Sequence, residues 1–266
     1  MNGYWDDSIY HAAQQITTTI PAYQTALSAL WDRMSTSTQA FSANFGASTY
    51  NWSAMQNTHS DPVDDGDADV AQLMFHVGVA SEMVYGVKES GSVLYQADDG
   101  LVNYLRYDSD VTYGHPNTNA NQSLYVDEIQ WLRPVPYCAS SPNVGHIWLL
   151  TGYNKNTSPW QYQMNMGWGG NSNGWYTLDT APLGLVNYRC HLVDLAPNSM
   201  IYFVGAATTG DGSPLNPYQN IEAALSSVPS GSTLIFKAGS VNTFSAATLT
   251  INGPLTLKGT NATITK

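Results

Sequence analysis

One histidine in this sequence stands in a setting suited to chemistry. His146 opens the run Gly145-His146-Ile147-Trp148-Leu149-Leu150-Thr151-Gly152-Tyr153, a glycine-bounded apolar stretch with a single ionisable group at its start. Asn165 begins a second run, Asn165-Met166-Gly167-Trp168-Gly169-Gly170, on what reads as the next strand. Antiparallel neighbours can bring two such side chains together near their ends. A histidine with an asparagine partner suits thiol-based acyl transfer. The imidazole activates a cysteine and then protonates the leaving amine, while the amide oxygen holds the other ring N–H. Trp168 is placed to shield that hydrogen bond from water. The same residues also fit a buried strand histidine beside a Gly/Trp-rich turn, and the residue types alone leave both readings open.

A nucleophile is harder to find. The chain has two cysteines, Cys138 and Cys190. Cys138 falls on a strand beside that of His146, not at a helix N-terminus where the dipole would lower a thiol pKa. Cys190, next to His191, has no recognisable oxyanion donors. Neither is expected to attack, and the expectation for the pair is two separate buried thiols. Gly170-Asn171-Ser172-Asn173-Gly174 satisfies G-x-S-x-G, but that motif needs a strand-to-helix turn. The next residues, Trp175-Tyr176-Thr177-Leu178, read as a strand, so a hairpin turn is the better account. His11, His59, His76, His115 and His191 have no motif around them and read as surface or core histidines.

Asp61, Asp64, Asp65, Asp67 and Asp69 precede Val70, Leu73, Met74 and Val77 at helical spacing. They are expected at the positive end of a helix dipole, in preference to a calcium loop, which would end in a bidentate glutamate. No H-E-x-x-H, P-loop or dinucleotide fingerprint occurs, so neither a metal nor an organic cofactor is expected. Nine Lys+Arg against 20 Asp+Glu give a net charge of −11. Scattered cations in an acidic chain disfavour nucleic acid, whose binding needs clustered positive charge, and anionic membrane surfaces for the same reason. No apolar run is long enough to span a bilayer, and the first residues lack a signal peptide's basic and apolar regions.

These candidate residues need elements to hold them. Tyr23, Leu27, Leu30, Trp31 and Met34 form a helical stripe after Pro21. Further helices are expected from the acidic stretch onward, beyond Gly100, and over Tyr125 to Trp131. Val135 to Ala139, His146 to Gly152, Trp160 to Met164 and Gly174 to Leu178 are short β-branched or aromatic runs between Gly, Asn, Ser and Pro clusters, the pattern of consecutive antiparallel strands. Helices first and strands second predict an α+β protein. After Gly205 the composition shifts. Asn216-Pro217-Tyr218-Gln219 predicts a capped helix over Ile221, Ala224 and Leu225. Then Leu234/Phe236, Leu249/Ile251, Leu255/Leu257 and Ile264 alternate in brief strands, like the opening coils of a right-handed parallel β-helix.

Taken together, Gly145-His146 through Gly152-Tyr153, then Asn165 and Gly167-Trp168-Gly169-Gly170-Asn171-Ser172-Asn173-Gly174-Trp175-Tyr176, resemble the His and Asn motifs of streptopain-type cysteine peptidases. These are secreted bacterial enzymes with a papain-like fold. Ala71-Gln72-Leu73-Met74, Val77-Gly78-Val79-Ala80, Met83-Val84-Tyr85-Gly86 and Ser90-Gly91-Ser92 look like that family's helix and substrate-groove loop. Arg133-Pro134-Val135-Pro136-Tyr137 resembles the strand before the histidine. Ser42-Ala43-Asn44-Phe45-Gly46 with Tyr50-Asn51-Trp52 is similar to the segment after the nucleophile helix.

The resemblance implies a papain-like peptidase domain over about residues 1–204, incomplete at its N-terminus, followed over 205–266 by truncated β-helix coils. It implies peptide hydrolysis through a thioester, with His146 as general base and acid, Asn165 as its orienter and Trp168 as shield. Ser90, Gly91, Ser92 and Gly145 are candidate substrate-groove residues. The implied partners are protein or peptide substrates, with cell-surface or polysaccharide contacts through the full β-helix, and the implied location is secreted or cell-surface. Two departures stand out. Met166 replaces the family's usual Trp, and no cysteine precedes Cys138. Met1-Asn2-Gly3-Tyr4-Trp5 resembles the segment just after the family's nucleophile, so the expectation is a thiol encoded upstream of the given start. The alternative is a non-catalytic binding or adhesion protein on a degenerate peptidase fold.

Overall fold

The computed structural model describes residues 41–56, 66–85, 90–116, 121–142, 144–197, 201–208, 210–246, 248–251 and 253–265. The expected helix at Tyr23 to Met34 lies outside them, as do Asp61, Asp64 and Asp65. The chain divides into two compact units, Met1–Leu105 and Arg106–Lys266.

In the first unit a short 3-10 turn, Phe45–Ala47, precedes helices α1 (Asp67–Ala80) and α2 (Leu94–Tyr104). Asp67 and Asp69 lie in the first turn of α1, where the helix dipole favours carboxylates, and Asp69 accepts the Asn51 N–H at 2.9 Å. The second helix begins earlier than the expected start beyond Gly100. That glycine sits inside α2, where any Cβ would run into the Ala80 carbonyl of α1. It is a helix-packing residue, not a helix boundary.

The second unit is built on a six-stranded antiparallel sheet in the order β1-β6-β2-β3-β4-β5. Its strands are β1 (Thr112–Gly114), β2 (Val135–Ser140), β3 (Gly145–Asn154), β4 (Gln161–Asn165), β5 (Gly174–Tyr176) and β6 (Asn187–Val193). Helix α3 (Gln122–Gln130) precedes β2. Alternation sets the faces of the sheet. Val135, Tyr137 and Ala139 of β2, Trp148 and Leu150 of β3, and Tyr162 and Met164 of β4 are buried, with exposed or half-buried residues between them. They share a core with Tyr125 and Val126 of α3. The Tyr125 ring meets those of Tyr137 and Tyr162 edge-on, at 5.8 and 5.9 Å, the geometry the aromatic quadrupole prefers.

Cys138 and Cys190 are directly opposed on β2 and β6 and form a disulfide, their Cα atoms 5.0 Å apart. This corrects the expectation of two separate thiols. That expectation did not include β6, and without that strand nothing brings the two residues into register.

Beyond the large sheet the strands are parallel. Strand β8 (Thr233–Phe236) lies between β7 (Ile201–Val204) and β10 (Thr256–Lys258), and β9 (Val241–Thr243) pairs with β11 (Thr263–Thr265). A single circuit of the chain thus carries Thr233 to Thr256 and Val241 to Thr263. Helix α4 (Ile221–Leu225) is capped by Asn220, whose side chain accepts the Ala223 N–H. The cap expected at Asn216 is not used, because Tyr218 pairs with the β7 backbone, its N–H on Phe203 and its carbonyl accepting from Gly205. Phe203 and Trp131 meet edge-on at 5.7 Å, with Ala196 and Ile235 against them.

Candidate active site

His146 is the second residue of β3 and shares its inward parity with Trp148 and Leu150. At the strand's mouth it is only half-buried. Its ring stacks on Trp168, with centroids 4.4 Å apart and planes 29° from parallel, and Trp148 lies beyond at 6.3 Å. The Nε2 atom is 2.8 Å from the Met166 carbonyl oxygen. A carbonyl can only accept, so Nε2 carries the proton in this contact. In the neutral ring the lone pair then belongs to Nδ1, for which the structure gives no hydrogen bond among the described residues. This is the tautomer a general base needs, with one nitrogen fixed and the other available.

Asn165 is placed differently from the expectation. It pairs with Leu149 across β3 and β4 and shares that residue's exposed face, opposite in parity to His146. Its Oδ1 accepts the Gly167 N–H at 3.0 Å. The imidazole is therefore held by main chain and not by the Asn165 amide. The link between them is nonetheless short, because the Met166 carbonyl and the Gly167 N–H belong to one peptide group.

The β4–β5 connection explains how this geometry is made. Gly167, Gly169 and Gly170 have φ of 75°, 58° and 89°, left-handed values that favour glycine over any side chain. They turn the chain sharply enough to lay Trp168 over His146. Asn171 N–H donates to the Trp168 carbonyl at 3.0 Å, and the Tyr176 hydroxyl donates to the Ser172 carbonyl at 3.1 Å. Ser172 is thus part of a hairpin turn leading into β5, as expected. Met166 is fully buried in the sheet core, and its N–H donates to Asn173 Oδ1 at 2.8 Å. Neither the Met166 carbonyl nor Asn173 stood out in the sequence as part of a site.

The remaining candidates divide between the two units. Gly145 begins β3, exposed and with open space where a Cβ would stand. In the first unit, Gly91 exchanges two main-chain hydrogen bonds with Val84, at 2.9 and 3.0 Å, and the Ser92 hydroxyl donates to the Ser81 carbonyl. Ser90 is exposed beside them. Among the described residues no cluster of His, Cys, Asp and Glu is arranged to hold a metal ion. Both cysteines are bonded to each other, leaving no free thiol.

Comparison with known proteins bears on this arrangement. The sequence pattern of the peptidase C10 family matches residues 12–176, which include His146, Asn165, Trp168 and Asn173. The chain belongs to the peptidase C10 family. Over 153 residues, 56% of its length, it is 26% identical to the thiol protease/hemagglutinin PrtT of Porphyromonas gingivalis. That match covers 17% of PrtT, so the chain spans only a small part of its relative's length. The C10 match ends at Tyr176, the last residue of β5.

Proposed function

We propose that this chain carries the base-bearing half of a cysteine-type endopeptidase site, with His146 as general base and acid. The observation that carries the reading is the His146 ring itself, fixed through Nε2 and roofed by Trp168 within the C10 match. In the reaction, Nδ1 takes the proton of a thiol as its sulfur attacks the scissile carbonyl carbon. The imidazolium then returns that proton to the leaving amine, and a thioester forms. Water, deprotonated by the same nitrogen, opens the thioester and restores the thiol. Asn165 acts as orienter through the 166–167 peptide group. Gly145, beside His146 at the start of β3, contributes to the groove for a protein or peptide substrate, and Ser90, Gly91 and Ser92 of the first unit are substrate-contact candidates by the family resemblance alone.

The attacking thiol is neither Cys138 nor Cys190, since each occupies the other. That observation also favours one second reading, a non-catalytic binding protein on a peptidase fold. The organisation proposed is a papain-like domain to about residue 204 and the start of a right-handed parallel β-helix over 205–266, supported by the parallel pairs β8–β10 and β9–β11. A secreted or cell-surface location is supported by the disulfide, a bond typical of oxidising compartments. Among the described residues no helix is long and apolar enough to cross a membrane.

The test is hydrolysis of a casein substrate by the chain alone and by the gene product expressed with whatever sequence precedes Met1. The chain alone should be inactive. The longer product should cleave, and His146→Ala should lower its kcat about 10²–10⁴-fold. Asn165→Ala should reduce it less. Full activity with Ala at position 146 would refute the assignment of the base, and inactivity of both forms would favour the binding protein.

A further inference from the structure

The carbonyl that holds His146 is aimed by two side chains, one on each side of Met166. Asn165 Oδ1 accepts the Gly167 N–H at 3.0 Å and so fixes the peptide plane that contains the Met166 carbonyl. Asn173 Oδ1 accepts the Met166 N–H at 2.8 Å and fixes the plane before it. With both planes held, the two main-chain torsions of Met166 are set and its carbonyl has one direction left. The fully buried Met166 side chain anchors the third substituent of the same Cα.

We propose that Asn173 is a positioning residue for His146, acting through the Met166 main chain. The register explains why an asparagine does this. Tyr162, Gln163 and Met164 of β4 pair with Tyr176, Trp175 and Gly174 of β5, and the ladder stops there. Two residues further along, the Met166 N–H has no backbone acceptor, and a main-chain donor left without one costs free energy. Asn173 supplies a side-chain oxygen in place of the missing strand. The turn holds it there: its own N–H donates to the Gly170 carbonyl at 3.2 Å, and Ser172 before it has φ of 60°. An uncharged amide does this without adding a negative charge beside the ring. Hydrogen bonds linked through one peptide group also polarise each other, so the Met166 carbonyl becomes a stronger acceptor when the Gly167 N–H is engaged by Asn165.

The consequence for catalysis rests on His146 being the base proposed above, but the geometry can be read without any thiol. The experiment is nitrogen NMR of the histidine-labelled chain, with amide exchange at Met166. In the unaltered chain the two His146 ring nitrogens should show well-separated shifts, Nε2 protonated and Nδ1 bare. Asn173→Ala should speed Met166 amide exchange about five-fold, the loss expected for one ordinary hydrogen bond, and should collapse the separation of the ring shifts. Asn173→Asp, which keeps an acceptor oxygen, should restore the separation. Asn171→Ala, in the same turn with its side chain exposed, should change neither readout. An unchanged ring signal in Asn173→Ala would overturn the proposal, as would an equal change in Asn171→Ala. A ring that responds as expected in a protein that never cleaves peptides would uphold the positioning role and refute the peptidase reading alone.

Discussion

Asp194 directly follows β6, with its carboxyl buried against two other charges. Arg133 Nε donates to Glu128 Oε2 at 2.8 Å and the same guanidinium reaches Asp194 Oδ1 at 3.4 Å, while Glu128 Oε2 also accepts the Asp194 N–H at 2.9 Å. Burial and the neighbouring Glu128 push the Asp194 carboxyl up to about 6, against the pull of Arg133. The folded state therefore binds this proton more tightly than the unfolded chain does. The stability it contributes is fully present below the ordinary carboxylate value and is lost as pH rises through about 6. Asp194→Asn removes the titrating group, and asparagine tolerates the residue's φ of 61°. The unaltered protein should lose melting temperature relative to the variant as pH rises from about 4 to 6. Melting curves across that range check it, and parallel declines in both proteins would show that another group sets the pH dependence.

Helix and strand contacts obey residue size at their closest points. At Gly100 helices α1 and α2 approach so closely that even a methyl group meets the Ala80 carbonyl. Alanine is the better helix former by about 1 kcal/mol, yet overpacking here should cost about 1–3 kcal/mol, so Gly100→Ala should lower the urea midpoint of the first unit. A raised midpoint would mean that the helices can part freely. The sequence showed this glycine but not its meaning, since a glycine in a helical run reads first as a boundary. Strands β2 to β5 were legible because burial on one face imposes apolar alternation. Strand β6 was not, because Tyr188 is 91% exposed with φ of 44° and the next buried residues run consecutively from Cys190 to Val193. At the site, His146 and Trp168 were legible as side chains with chemistry. The Met166 carbonyl was not, for a main-chain acceptor has no residue type to mark it.

Across the whole molecule, the segment after Gly205 packs against the body of the second unit. Lys237 Nζ reaches Asp127 Oδ1 at 2.7 Å, Ala238 N–H donates to the Gln130 carbonyl at 2.9 Å, and Arg133 donates to the Pro214 carbonyl at 3.3 Å. Ile235 packs against the buried Phe203 and Trp131 cluster. Ending the chain at residue 204 uncovers both aromatics and should cost about 2 kcal/mol or more, equivalent to a melting point lower by roughly 5 °C. Calorimetry of the shortened protein checks this, and an unchanged melting temperature would show two independent folding units. The disulfide acts over a comparable span. Cys138 and Cys190 are 52 residues apart, and His146, Asn165, Trp168 and Asn173 all lie inside the loop they close. A backbone cut anywhere within that loop opens a ring without making two molecules. Any protease that nicks this protein between the cysteines leaves the histidine, its roof and its asparagines covalently joined, and only reduction lets the pieces drift apart.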